Sequence, residues 1–205
     1  MASTEDNNYS LDKVYNTWQV VLREDGTVLL PEFIAAFREL IKFFDHLNIV
    51  FSFVSRDLVD KFVLIENLCK SEKYDYYKSV QTMLKYETSI SSYDGTIALL
   101  RLLRALEFTY KFLQRSFLSE TTKSTKTIAY ETYKESLYKR HSKAVQWAVW
   151  AATNSLPKQQ QLKQQLLKGE KEAGTVDKTF PIISNVYSAI NNLYTEKDLL
   201  ELVSL

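Results

Sequence analysis

Helix breakers are scarce in this chain. Four glycines and three prolines are spread over 205 residues. Between them apolar residues recur at three- and four-residue spacing, with no sustained alternation. A chain patterned in this way satisfies its backbone within helices, so the expected fold is all-α. Helices are predicted over 11–23, 31–47, 49–70, 74–89, 96–119, 125–155, 158–168 and 176–194, with a short C-terminal piece. Local punctuation agrees. Pro31 suits a first helical turn, where its missing N–H costs nothing. Asn48 tolerates the left-handed conformation that ends a helix, Asp94 is an N-cap candidate, and Pro157 stops the helix before it. The connections are short and no repeat is visible, so a single domain over 1–205 is expected.

Several function classes fall away on charge and composition. Lys and Arg number 26 against 25 Asp and Glu, a net charge of +1 that argues against a nucleic-acid partner. Cys69 is alone, which removes an intramolecular disulfide and a cysteine-built metal site and suits a reducing compartment such as the cytosol. The polar, acidic stretch MASTEDNNYSLDK has no apolar signal region, and no apolar run approaches the length of a membrane span. A water-soluble monomer without a cofactor is the expectation.

The informative anomaly lies in FSFVSRDLVDKFVLIENL, residues 51–68. On a helical wheel Ser52, Ser55, Arg56, Asp60, Glu66 and Asn67 share a polar arc, broken by Val59 and Val63. The opposite arc holds Phe53, Val54, Leu58, Phe62, Leu64 and Ile65, and Asp57 and Lys61 fall inside it. One reading is an ordinary ion pair one turn apart. Burial would make such a pair costly, because desolvation can exceed the Coulomb gain. Two further helices repeat the pattern. In the 96–119 helix a polar stripe runs through Thr96, Arg104, Glu107, Lys111 and Gln114, which makes Arg104 a solvated arginine, whereas Arg101 sits among Ile97, Phe108 and Phe112. In the 125–155 helix His141 occupies the middle of an apolar arc that includes Val145 and Ala148. Buried charge is tolerated when it is paired or meets a ligand. A polar cluster at the mouth of an apolar cavity suits a molecule with a charged head and a greasy tail, and Lys61 and Arg101 suit a phosphate.

Three segments, FDHLNIVFSFVSRDLVDKFVLIENL, GTIALLRLLRALEFTYKFL and HSKAVQWAVWAATNSLP, resemble the glycolipid transfer protein family in order and spacing. The resemblance covers most of the chain from about Pro31 onward. It implies a two-layer helical sandwich, here of about eight helices, enclosing an apolar cavity for one sphingolipid. It also implies that Asp57 grips the lipid amide and headgroup and that His141 binds the amide carbonyl. Lys61 stands where phosphate-binding members carry lysine and sugar-binding members asparagine. Leu64 replaces a lysine of the sugar binders, and Arg101 replaces their sugar-stacking tryptophan. Ile97 departs from the pattern, because phosphate-binding members such as ceramide-1-phosphate carriers have an arginine there. Ser142 and Lys143 also depart, standing where the family usually places Gly-Trp or Pro-Trp. Trp147 and Trp150, near Lys143, are then the candidates for touching a membrane, with packing against a neighbouring helix as the other reading.

The resemblance therefore implies intermembrane transfer of ceramide-1-phosphate, with Phe53, Val54, Leu58, Ile97, Phe108, Val145 and Ala148 lining the cavity. Glycosphingolipid transfer or sensing is the alternative within the same fold. From the residues alone two other readings stay open. One is an enzyme with His141 as general base, Asp57 orienting it, and Lys61 and Arg101 clamping a phosphate. The other is a non-catalytic interaction bundle, which predicts no cavity and no bound lipid. His46, at the end of the 31–47 helix, reads as a capping residue.

Overall fold

The computed structural model describes residues 9–47, 52–118, 123–167 and 170–202, without the side chains of 45, 46, 52–57 and 170–173. Nine α-helices make up the described chain: α1 (Leu11–Trp18), α2 (Leu30–Ile41), α3 (Ser52–Lys70), α4 (Val80–Ser89), α5 (Asp94–Leu118), α6 (Thr125–Ser136), α7 (Lys143–Thr153), α8 (Gln159–Leu166) and α9 (Glu170–Glu196). The described residues contain no strand, only isolated bridges between Leu22 and Val28 and between Leu29 and Ser79. The all-α expectation holds.

Helix α5 is the hub. It packs against α3, α6 and α9, while α1 joins α2 to α9 and α7 rests chiefly on α6. An aromatic ladder ties the first three helices together. Trp18 meets Phe33 edge-on at 5.9 Å, Phe33 contacts Phe37 at 5.9 Å, and Phe37 meets Phe62 edge-on at 5.4 Å. Each such pair contributes about 0.5–1.5 kcal/mol beyond area burial. A second cluster fills the space between the 3₁₀ turn Lys42–His46 and α5, where Phe43 contacts Phe44 and Phe112, and Phe108 stacks on Phe112.

The structure corrects several boundaries. The helix predicted over 11–23 ends at Trp18, and Gly26, with a φ of 81°, makes the turn that returns Val28 to Leu22. The 74–89 helix begins as a 3₁₀ turn, Tyr74–Tyr77. A capping box then starts α4: Ser79 Oγ accepts from the Thr82 N–H, and Thr82 Oγ1 accepts from the Ser79 N–H. The C-terminal helix begins before Val176 and runs through Pro181, an exposed position. Asn48, the proposed helix end, and the side chain of His46 lie outside the described residues.

The largest departure is the 125–155 helix. It breaks into α6, a 3₁₀ turn at Tyr138–Arg140, and α7. His141 is extended, with φ −106° and ψ 143°, and Ser142 caps α7 by accepting from the Val145 N–H. Gln146 holds the corner by donating to the carbonyls of Tyr138 and His141 at 2.9 and 2.8 Å. A wheel drawn through the break therefore misassigns faces downstream of it. Arg104 is also corrected. It is 7% exposed, and its guanidinium donates to the Leu200 carbonyl at 2.6 Å. Thr96, in the same stripe, is fully buried, and its carbonyl accepts from the Tyr194 hydroxyl, so this part of the stripe also faces the C-terminal segment.

Candidate functional site

The cavity between α3 and α5 follows from two matched helical faces. Residues three, four and seven apart share a face, and α3 presents Asp60, Lys61 and Leu64 while α5 presents Asp94, Ile97, Ala98 and Arg101. These side chains line a pocket of about 200 Å³ that is open to solvent. Lys61 and Arg101, singled out separately in the sequence, thus meet across one opening. Both are half-buried. The Arg101 Nε is buried and has no hydrogen-bond partner, a state that costs about 1–3 kcal/mol until something accepts from it. Leu64 was placed on the inward arc of α3 but is 37% exposed, at this opening.

The start of α5 is held from below. Glu87 is 1% exposed, and its carboxylate accepts from the N–H groups of Gly95 and Thr96, from the Thr96 hydroxyl and from the Tyr77 phenol. A carboxylate at a helix N-terminus satisfies orphan donors and is favoured by the helix dipole. Gly95 permits the approach, since a Cβ there would lie 2.7 Å from Glu87 Oε1. Asp94, expected as the N-cap, is instead the first helical residue and lines the cavity. Burial, then Glu87, pushes the Tyr77 phenol well above its ordinary value.

His141 is not on this cavity wall. It sits at the α6–α7 corner, where its Nδ1 lies 2.9 Å from the Tyr133 hydroxyl. Burial pushes Tyr133 up to about 12, so the phenol remains protonated at neutral pH. When it donates to Nδ1, the ring proton is left on Nε2, which can then donate to an acceptor. The Asp57 side chain lies outside the described residues, as do those of Phe53 and Val54.

The other expected positions divide. Leu58 is 4% exposed and belongs to the core. Ile97 is half-buried and lines the α3–α5 opening. Phe108 and Ala148 are half-buried, Phe108 packing against the core. Val145 departs from its expected interior place and is 41% exposed, because α7 restarts in a new register after the corner. On the same helix Trp147 is 69% and Trp150 45% exposed, Lys143 is exposed, and the Lys126 ammonium lies 5.7 Å from the Trp150 ring centre. The packing alternative does not apply to Trp147 at that exposure.

Sequence reasoning missed Asp60, Asp94, Tyr133 and Glu87. The first two carried a signal: Asp60 adjoins Lys61, and Asp94 lies seven residues before Arg101, on its face. Nothing local marked Tyr133 or Glu87, whose partners come from the corner between α6 and α7 and from another helix.

The sequence pattern of the family described as "Glycolipid transfer protein (GLTP)" matches residues 28–168. A ceramide-1-phosphate transfer protein of Danio rerio is 32% identical, over 95% of this chain and 98% of its own length. The apo crystal structure of mouse ceramide-1-phosphate transfer protein superposes with a TM-score of 0.88 at 32% identity, covering 94% of this chain and 98% of that one. The human protein in complex with 12:0 ceramide-1-phosphate gives 0.87 at 29% identity, over 94% and 99%. With its all-helical architecture and these similarities, the chain belongs to the glycolipid transfer protein family.

Proposed function

We propose that this protein carries ceramide-1-phosphate between membranes without making or breaking a bond. The observation that carries the reading is the α3–α5 cavity, where Lys61 and Arg101 converge and the Arg101 Nε is buried without an acceptor. A guanidinium fork and a point-charge ammonium together suit a phosphate. Asp57 grips the amide and headgroup, and His141, oriented by Tyr133, donates to the amide carbonyl. The lipid chains lie in an apolar interior that includes Phe53, Val54, Leu58, Phe108 and Ala148. Support comes from the relatives named as ceramide-1-phosphate transfer proteins and from the human protein's complex with that lipid.

The task is physically reasonable. Each buried CH₂ contributes about 0.8 kcal/mol, so a sixteen-carbon chain resists leaving a bilayer by roughly 12 kcal/mol. An apolar sleeve held at the membrane surface removes much of that barrier. Trp147, Trp150 and Lys143 make this surface contact, with the indoles at the headgroup level and the ammonium among anionic lipids. Among the described residues no helix is long and apolar enough to cross a membrane. The carrier works as one monomeric unit in the cytosol, with neither cofactor nor nucleic acid.

The test is transfer of fluorescent ceramide-1-phosphate between vesicles. Transfer is expected for the wild type and lost in Asp57→Val with unfolding temperature preserved. Faster transfer of glucosylceramide would overturn the headgroup reading, and release of inorganic phosphate would replace a carrier with an enzyme.

A further inference from the structure

The same cavity contains more acid than a receptor for a bare phosphate needs. Asp60 and Asp94 face the opening together with Lys61 and Arg101, so these four groups carry no net charge. Both carboxylates are exposed to solvent at the rim of the opening, and among the described residues neither is tied up in a hydrogen bond or ion pair with another side chain. A phosphomonoester carries a charge of about −1.5 to −2 at neutral pH. Against a wall of zero net charge it gains from Lys61 and Arg101 and is repelled by the two carboxylates. Ile97 supplies no further cation. A ligand matched to this wall has one negative and one positive group.

We propose that the pocket also takes a sphingolipid whose phosphate carries a short primary-ammonium tail, a zwitterion of the ceramide phosphoethanolamine kind, and that Asp60 and Asp94 admit it. The inference rests on the transfer function proposed above and extends its substrate class. The phosphodiester sits on Arg101 and Lys61. The ammonium turns toward the start of α5, where Asp94 lies two turns from Arg101, about 10 Å along the axis. Asp60 receives it from the α3 side. Ile97, between Asp94 and Arg101 on the same face, packs against the carbon linker.

The lining also separates a primary amine from a quaternary one. Quaternary ammonium groups are held by the faces of aromatic rings, and the described lining of this cavity contains none: its apolar members are Leu64, Ile97 and Ala98. A primary ammonium instead donates hydrogen bonds, and the two solvent-exposed carboxylates at the rim can accept them in place of water. The pocket therefore selects against a phosphocholine head.

The full-length protein is tested with donor vesicles of phosphatidylcholine carrying equal fractions of fluorescent ceramide phosphoethanolamine, ceramide-1-phosphate or sphingomyelin. Ceramide phosphoethanolamine is expected to move at least as fast as ceramide-1-phosphate, and sphingomyelin more slowly than both. In Asp60→Asn/Asp94→Asn the rate ratio of ceramide phosphoethanolamine to ceramide-1-phosphate is expected to fall about fivefold, the scale of exposed charge pairs. Ile97→Arg shifts the ratio the same way and leaves both carboxylates in place, so it tests the charge balance even if the double variant folds poorly. Movement of ceramide-1-phosphate alone would overturn this inference and leave the transfer function standing. Movement of neither lipid would overturn both. An unchanged ratio in both variants would remove Asp60 and Asp94 from any part in selection.

Discussion

Two polar clusters lie near the start of α5, and they are built in opposite ways. Around Glu87 the polar groups are closed on one another, with four donors converging on one buried carboxylate. Around Arg101, less than two turns along, the groups face an opening and the guanidinium Nε has no partner. The first arrangement stabilises the fold and has nothing left to offer a ligand. The second leaves hydrogen-bonding capacity unspent at a place a ligand can reach. Burial of a charge is thus a poor guide to function by itself; unsatisfied capacity beside a cavity discriminates better.

The difference can be broken most forcefully at Glu87. Glu87→Ala strands two N–H groups and two hydroxyls in the interior, and a loss of about 3 kcal/mol or more is expected in urea denaturation. Gly95→Ala tests the same anchor from the other side. Its Cβ would press on Glu87 Oε1 at 2.7 Å and on Met83 Sδ at 2.9 Å, and overpacking of this kind costs about 1–3 kcal/mol. Stability close to wild type in either variant would mean that the closed cluster is not what fixes the start of α5.

Arg101→Leu is the counter-test. Its expected signature is inverted, with ceramide-1-phosphate transfer down about tenfold or more and stability within about 1 kcal/mol of wild type. Removing the guanidinium also removes an unsatisfied donor, so a small gain in unfolding temperature agrees with the reading. A large loss of stability would place Arg101 with Glu87, as a structural group.

How far the sequence revealed these clusters depends on whether their signals were local. Lys61 and Arg101 were visible because each interrupts an apolar arc within an unbroken helix, although the same wheels misplaced Leu64 on α3 and Thr96 on α5. Arg104 was misread because its partner, the Leu200 carbonyl, is almost a hundred residues away and leaves no mark on α5. Val145 was misplaced because the wheel ran through the Ser142 cap. Ser142 is a residue type favoured at an N-cap, but the periodicity of its surroundings runs straight through it and concealed the break. The all-α fold survived these errors because it rests on the spacing of many apolar residues and not on any single boundary.

The smallest expected effect concerns the corner that the wheel missed. Tyr133 is 1% exposed and lies 2.9 Å from His141 Nδ1, a place from which it can set the tautomer without touching lipid. Tyr133→Phe keeps the ring and removes the hydroxyl, so transfer is expected to fall about threefold, the scale of one net hydrogen bond, with little change in unfolding temperature. The phenol is also a pH marker. Its value is raised from the ordinary 10 to about 12 in the folded protein. The stabilisation this implies is fully present below pH 10 and is lost as pH rises from there through 12. In the wild type the Tyr133–His141 contact should therefore persist through pH 9, which the His141 imidazole resonances in NMR can follow. In Tyr133→Phe those resonances are expected to show a mixture of tautomers. A single unchanged Nε2–H tautomer in the variant would show that the corner orients His141 by some other contact, and that Tyr133 contributes packing alone.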